Sequence, residues 1–182
     1  MPIRIRIPEL HLFNEATNEF FDIRETYLTM EHSLVSISKW ESKWHIPYLA
    51  PGEKTPEQAL DYLRCMTITQ NIQPGIYSYI PDTEMRRIKN YVEDSMSAYK
   101  FKEEEGKGRT KKAITSDYLY FCMVTYRIPV EFERWHLNRL ITLIQICSEE
   151  NNPKKNKKSK RRITSDYAAL NAARRAKLGT TG

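Results

Sequence analysis

The chain has 182 residues, with 29 Lys and Arg against 23 Asp and Glu, four His, three Cys and a formal net charge of +6. That length fits one domain of about 100–200 residues with an appendage. An apolar share of 40% with 11% aromatics supports a core and excludes wholesale disorder, and six glycines exclude collagenous or Gly-rich repeats.

No apolar run approaches the roughly 18–20 residues of a membrane span. The start, Met1-Pro-Ile-Arg-Ile-Arg-Ile7, alternates charge with β-branched residues and lacks a continuous apolar stretch, so it does not read as a signal peptide. An intracellular protein without membrane contact is expected. The charge is unevenly placed. Residues 151–182 hold ten cations and one acid (Asp166), whereas residues 1–150 hold 19 cations and 22 acids. The basic character belongs to a tail, and the body is mildly acidic.

In chain order, residues 3–7 alternate at period two and Phe20 to Glu31 continue an extended pattern, with a turn-like Asn14–Asn18 between them. This predicts an antiparallel strand pair, the first strand ended by Pro8. Ser33 then opens a helix with Leu34, Ile37, Trp40 and Trp44 on one stripe, closed by Pro47 and Pro51-Gly52. Thr55-Pro-Glu-Gln58 is a helix start with a hydroxyl cap and a Gln able to reach back to it. Its helix is expected to turn Ala59, Leu60, Leu63 and Met66 inward. After turn signals at Pro74-Gly75, Pro81-Asp82 opens a helix to about Asp94 with Met85, Ile88 and Val92 inward. Residues 101–112 read as a solvated loop. Core helices are expected at Thr115–Arg127 and Val130–Ser148, the second carrying Phe132, Trp135, Leu140, Leu143, Ile144 and Cys147 at helical spacing. Trp40, Trp44 and Trp135 are expected in the core. Strands followed by helices give an α+β fold over 1–150.

From Asn151 the composition shifts. Lys154–Arg162 places seven cations in nine positions, a self-repelling block that predicts a flexible basic linker over 151–163. Thr164 or Ser165 then caps a short Ala-rich helix closed by Gly179, giving a C-terminal helix and tail over 164–182. It offers Tyr167, Leu170 and Leu178 as apolar anchors beside Arg174 and Arg175. Ile114-Thr-Ser-Asp-Tyr118 recurs as Ile163-Thr-Ser-Asp-Tyr167. The economical reading is a reused helix cap with Ile as a staple residue; the functional one is two presented docking helices, or a tail helix that mimics an internal one.

Chemistry is not signalled. His11, His32, His45 and His136 show no i, i+4 pairing, which argues against a metal site. Glu131 and Glu133 lie two apart, on different sides of a helix. Gly106-Lys107-Gly108 lacks the upstream Gly of a phosphate-binding loop, and no Gly-x-Ser-x-Gly or Gly-x-Gly-x-x-Gly occurs. Cys65, Cys122 and Cys147 are an odd, scattered set and read as buried thiols. A non-enzyme without cofactor or metal is expected. Three roles remain for the tail: docking on other proteins, neutralising nucleic-acid phosphates through Lys154–Arg162, or solubilising the chain. Asn138 and Arg139 are candidates for a polar partner contact, or for a hydrogen bond between helices.

Four spaced words then carry a resemblance over about residues 30–182. Ser36-Ile-Ser-Lys-Trp40-Glu-Ser-Lys-Trp44-His45, Leu60-Asp-Tyr-Leu-Arg-Cys65-Met-Thr, Trp135-His-Leu-Asn-Arg139-Leu and Asn171-Ala-Ala-Arg174-Arg-x-x-Leu178-Gly resemble tail assembly chaperones of long-tailed, siphovirus-like bacteriophages. The resemblance implies a non-catalytic helper in the host cytoplasm. It would bind the tape measure protein, shield its apolar helical surface and assist polymerisation of tail tube protein. It would be absent from the mature virion, and a longer frameshifted product would be common in the family. Self-association as a homo-oligomer is compatible with this. The competing expectation is a minor virion structural protein, or a nucleic-acid-binding accessory protein acting through the basic tail.

Overall fold

A computed structural model describes residues 2–14, 18–73, 75–99 and 114–151, together with Arg174 and Lys177. The fold is α+β: among the described residues up to 151, four antiparallel strands are followed by five α-helices. It divides into two compact units, Met1–Ile144 and Gln145–Gly182.

The strands form a hairpin nested within a hairpin. β1 (Ile3–Ile7) pairs with β4 (Thr26–Met30), and β2 (Leu10–Asn14) pairs with β3 (Glu19–Ile23). The outer pair follows from the Ile-Arg alternation: Ile5 and Ile7 are buried while Arg4 and Arg6 face solvent. Across the pair, Arg4 covers the Tyr27 ring at 4.4 Å and Arg6 meets Glu25 at 2.7 Å. The single extended run expected over Phe20–Glu31 is in fact two strands, broken at Arg24-Glu25, where the Thr26 hydroxyl donates to the Arg24 carbonyl. β2 was absent from the expectation. It forms because β3 is free to fold back on it, joining Phe13 and Phe20 with ring centroids 4.8 Å apart.

α1 (Leu34–Trp44) starts at Ser33, whose hydroxyl caps the Ser36 amide. Leu34, Ile37 and Trp40 face the core, whereas Trp44 is only half-buried. The helix closes on His45 at φ 54°, a left-handed conformation that a side chain tolerates poorly. Replacing His45 by Gly should therefore stabilise the fold by about 1 kcal/mol. Urea denaturation checks this, as a higher midpoint at unchanged slope.

α2 (Pro56–Met66) carries the expected capping box between Thr55 and Gln58. Its inward face differs from the expected stripe. Asp61, Tyr62, Leu63 and Met66 are buried, while Ala59 is exposed and Leu60 half-buried. The helix is turned because the Asp61 carboxylate is held inward by Lys43 Nζ at 2.5 Å and Trp44 Nε1 at 2.9 Å. Burial alone would raise that carboxyl's pKa. The hydrogen bonds from Lys43 and Trp44, with the charges of Lys43 and Arg64, instead hold it below its ordinary value.

A 3-10 turn at Ile76–Tyr79 leads into α3 (Asp82–Glu93), which buries Ile88 and Tyr91. Met85, expected inward, stands 40% exposed, and Val92 is half-buried. α4 spans Ser116–Thr125 with Thr115 as its cap. The single helix expected over Val130–Ser148 is interrupted. Val130–Arg134 is a 3-10 turn, His136 forms a β-bridge with Ser33, and α5 (Leu137–Glu150) begins only after the Leu137 amide donates to the His32 carbonyl. Pairing with a distant backbone outcompetes the local helix here. Phe132 and Trp135 consequently stack on each other, centroids 3.8 Å apart and half-buried, instead of entering the core.

The core joins Ile5, Ile7 and Leu28 of the strands to Leu34, Ile37, Trp40, Met66, Leu137 and Leu140. Of the cysteines, Cys122 is buried, but Cys65 and Cys147 are half-exposed, contrary to the expected burial. Arg174 and Lys177 are helical and exposed. The linker, Tyr167, Leu170, Arg175 and Leu178 lie outside the described residues.

Candidate functional site

α4 is apolar on every side. Its sequence, Ser-Asp-Tyr-Leu-Tyr-Phe-Cys-Met-Val-Thr, has no polar stripe beyond its first turn. A helix of that kind normally sits wholly inside a core, but this one buries only Ser116, Leu119, Cys122 and Met123. The opposite side presents Tyr118, Phe121 and Val124 at steps of three, with exposures of 54%, 63% and 79%. Ile114 and Val130 flank them and are also open. Exposed large apolar residues aligned along one helix face are the kind of surface that marks a contact with another molecule.

Glu41 fixes that helix to the body. One carboxylate oxygen accepts from the Tyr48 amide at 2.7 Å, and the other accepts from the Ser116 amide at 2.7 Å and the Ser116 hydroxyl. One side chain thus joins the end of α1, the loop after it and the start of α4. Glu41→Ala would leave the Tyr48 and Ser116 amides without their partner at a half-buried position. A loss of about 2 kcal/mol in urea denaturation is expected, with faster amide exchange in α4.

The first copy of the repeated Ile-Thr-Ser-Asp-Tyr word is therefore both cap and presentation device. Thr115 caps Tyr118, Ser116 seats on Glu41, and Tyr118 begins the open stripe. The second copy lies outside the described residues.

A second uncovered apolar surface runs between α2 and α3. A cavity of about 330 Å³ is lined there by Tyr48, Leu60, Leu63, Tyr77, Met85 and Ile88, among others, with Lys54, Lys89 and Glu93 also in its walls. Ala59 and Met85, expected inward but found exposed, and the half-buried Leu60 are walls of this groove.

A buried aromatic and imidazole cluster shares Tyr48 and Tyr62 with the walls of this groove. His32 Nδ1 is 2.5 Å from the Tyr62 hydroxyl, and the Tyr91 hydroxyl accepts from the His32 amide at 3.3 Å. His136 Nε2 donates to the Tyr91 carbonyl at 2.8 Å, which leaves Nδ1 unprotonated, buried and without a hydrogen-bond partner among the described residues. The two imidazole centroids are 5.0 Å apart. Burial, reinforced by His136, pushes the His32 pKa down to about 3, and burial lowers His136 as well. Burial also pushes Tyr48 up to about 12. At neutral pH these groups carry no charge, and they pin β4, α2, α3 and the start of α5 together. No local pattern signals the pair, because its members come from opposite ends of the body and meet through the Ser33–His136 bridge and the Leu137–His32 backbone hydrogen bond.

The polar candidates on α5 do different things. Asn138 Nδ2 donates to the carbonyls of Val92 at 3.0 Å and Asp94 at 2.7 Å, closing the end of α3. Arg139 is exposed and lies over the Trp135 ring at 4.3 Å. Asn138 is thus engaged between helices, and Arg139 stays open on the surface. Among the described residues, no set of three or more His, Cys, Asp or Glu is placed to hold a metal, and no helix is long and apolar enough to cross a membrane. Comparison with known protein families, with characterised proteins and with solved structures finds no match for this chain.

Proposed function

We propose that this chain is a non-catalytic assembly chaperone for the tails of siphovirus-like phages, acting in the host cytoplasm on the tape measure protein and on tail tube polymerisation around it. The observation that carries the reading is the open face of α4, with Tyr118, Phe121 and Val124 exposed on a helix anchored through Glu41. A rigidly held apolar stripe is the complement of an amphipathic client helix. The four sequence words that resemble the family support the same role. Fixed support for such a stripe lowers the ordering cost of binding.

The tail adds a second contact. Tyr167, Leu170, Arg174, Arg175 and Leu178 would engage the client from a tether, raising effective concentration along a long, repetitive partner. The basic block Lys154–Arg162 favours a second reading, a nucleic-acid-binding accessory protein or minor virion component, because clustered cations give affinity that falls steeply with salt.

The test is co-expression with a tape measure fragment, scoring the client's soluble fraction with and without this chain. The chaperone reading expects a soluble complex that survives moderate salt. An insoluble client, together with salt-sensitive polynucleotide retention lost on deleting residues 151–182, would favour the second reading.

A further inference from the structure

We propose that the groove between α2 and α3 receives an acidic amphipathic helix of the client, with apolar side chains filling the cavity and a carboxylate pairing with Lys54. The inference deepens the chaperone reading and rests on it. The apolar part of the recognition is in place: Leu60, Leu63, Ile88 and the open Met85 form the walls, with Tyr48 and Tyr77 beside them. The volume of about 330 Å³ lies at the lower end of the about 300–1,000 Å³ of small-molecule pockets. It suits a few side chains projecting from a helix that lies along the groove. α2 has 11 residues and α3 has 12. At 1.5 Å per residue the walls are about 16–18 Å long, or about three turns of an apposed helix.

The sign of the charge selects the occupant. The Lys54 ammonium stands 4.3 Å from the Tyr48 ring centroid and 5.8 Å from that of Trp40, and no carboxylate among the described residues is in ion-pair distance of it. Lys89 is loosely matched by Glu93 at 4.0 Å. Among the described residues, the groove therefore carries one positive charge that stands against aromatic rings with no carboxylate in ion-pair distance. Partial burial makes that charge harder to sustain without an anion, lowering the Lys54 pKa. The chain's own tail, with ten cations and one acid, would place like charges against Lys54 and Lys89 and is a poor occupant. A helix with Asp or Glu one turn from its apolar anchors satisfies both walls and charge.

The experiment uses the full chain, isotopically labelled, titrated with two designed amphipathic peptides of about five turns. Both carry the same leucine stripe; one is flanked by glutamates and the other by lysines. The glutamate peptide should bind roughly tenfold more tightly, shifting amide resonances of Ala59, Leu60, Met85 and Lys89. Lys54→Glu should reverse the preference. Equal affinities for the two peptides would overturn the proposal. So would shifts confined to residues 114–130, or a preference that Lys54→Glu does not change. The two readings fail separately. A client kept soluble by a chain whose groove ignores both peptides refutes the groove alone, whereas peptide binding without client solubilisation refutes the chaperone role.

Discussion

Replacing both Phe121 and Val124 by Asp should abolish client solubilisation while leaving the fold intact. Both side chains point away from the core, and the residues that hold α4, namely Leu119, Cys122, Met123 and the Ser116–Glu41 contact, are untouched. Surface substitutions away from buried features usually change stability by less than about 0.5 kcal/mol. Two charges set into an apolar contact should cost at least about 3 kcal/mol of affinity, which is roughly a hundredfold. The check pairs the client's soluble fraction in co-expression with thermal denaturation of the isolated variant. Loss of solubilisation at unchanged melting temperature supports α4 as the client face. Unchanged solubilisation would remove it from that role.

The second large effect is on stability in acid. His32 titrates at 6.5 when unfolded, and burial holds its pKa down to about 3 in the fold. Between those values the unfolded chain binds a proton that the folded chain excludes, so stability falls as pH falls. Above 6.5 both states are neutral and the effect vanishes. The slope is about 1.4 kcal/mol per pH unit, so lowering pH from about 6.5 to about 5 should cost about 2 kcal/mol from His32 alone. His136, also lowered by burial and 5.0 Å away by ring centroids, acts in the same direction. Asp61 contributes in a more acidic window. Its carboxyl sits below its ordinary value of 3.8, so its contribution is full above that pH and is lost only as pH falls through the depressed folded value. Urea denaturation at a series of pH values reads the slope directly. His32→Asn should flatten it between about 6.5 and 5 even as absolute stability drops, because the asparagine does not titrate. A flat profile in the parent chain would contradict neutral burial of the imidazoles.

The parts of the fold legible in sequence were those fixed by local chemistry. The Ile-Arg alternation set the β1 face, Ser33 capped α1, and Thr55 with Gln58 wrote the start of α2. What stayed hidden depended on partners distant in the chain. β2 exists through its pairing with β3, and the break at Trp135-His136 exists because His136 and Leu137 bond to the Ser33 and His32 region. The helical spacing from Phe132 to Cys147 was real, yet a periodic pattern does not report that a distant backbone will claim two of its residues. α2 shows a similar limit. Ala59 and Leu60 looked like core by period, but the demand of Asp61 for Lys43 and Trp44 turned the helix by about one residue.

The candidate surface was hardest to read for a related reason. In α4, the buried set Leu119, Cys122 and Met123 and the open set Tyr118, Phe121 and Val124 are equally apolar, so no periodicity separates inside from outside. The repeated Ile-Thr-Ser-Asp-Tyr word was the one cue, and it marked where a presented helix begins. Glu41 gave no cue at all: a single glutamate on a mixed helix reads as solvated until Tyr48 and Ser116 are seen to converge on it. The α2–α3 groove became visible only when Met85 proved open.

As the proposed chaperone, this chain would cover an apolar helical client during assembly and then depart. Affinity recovery of the tagged chain from infected cells, with quantitation of the same chain in purified infectious particles, addresses this role most directly. Tape measure protein is expected in the recovered complex, with no stoichiometric amount of the chain in particles. A fixed copy number in infectious particles, with no tape measure protein recovered from the cells, would contradict it.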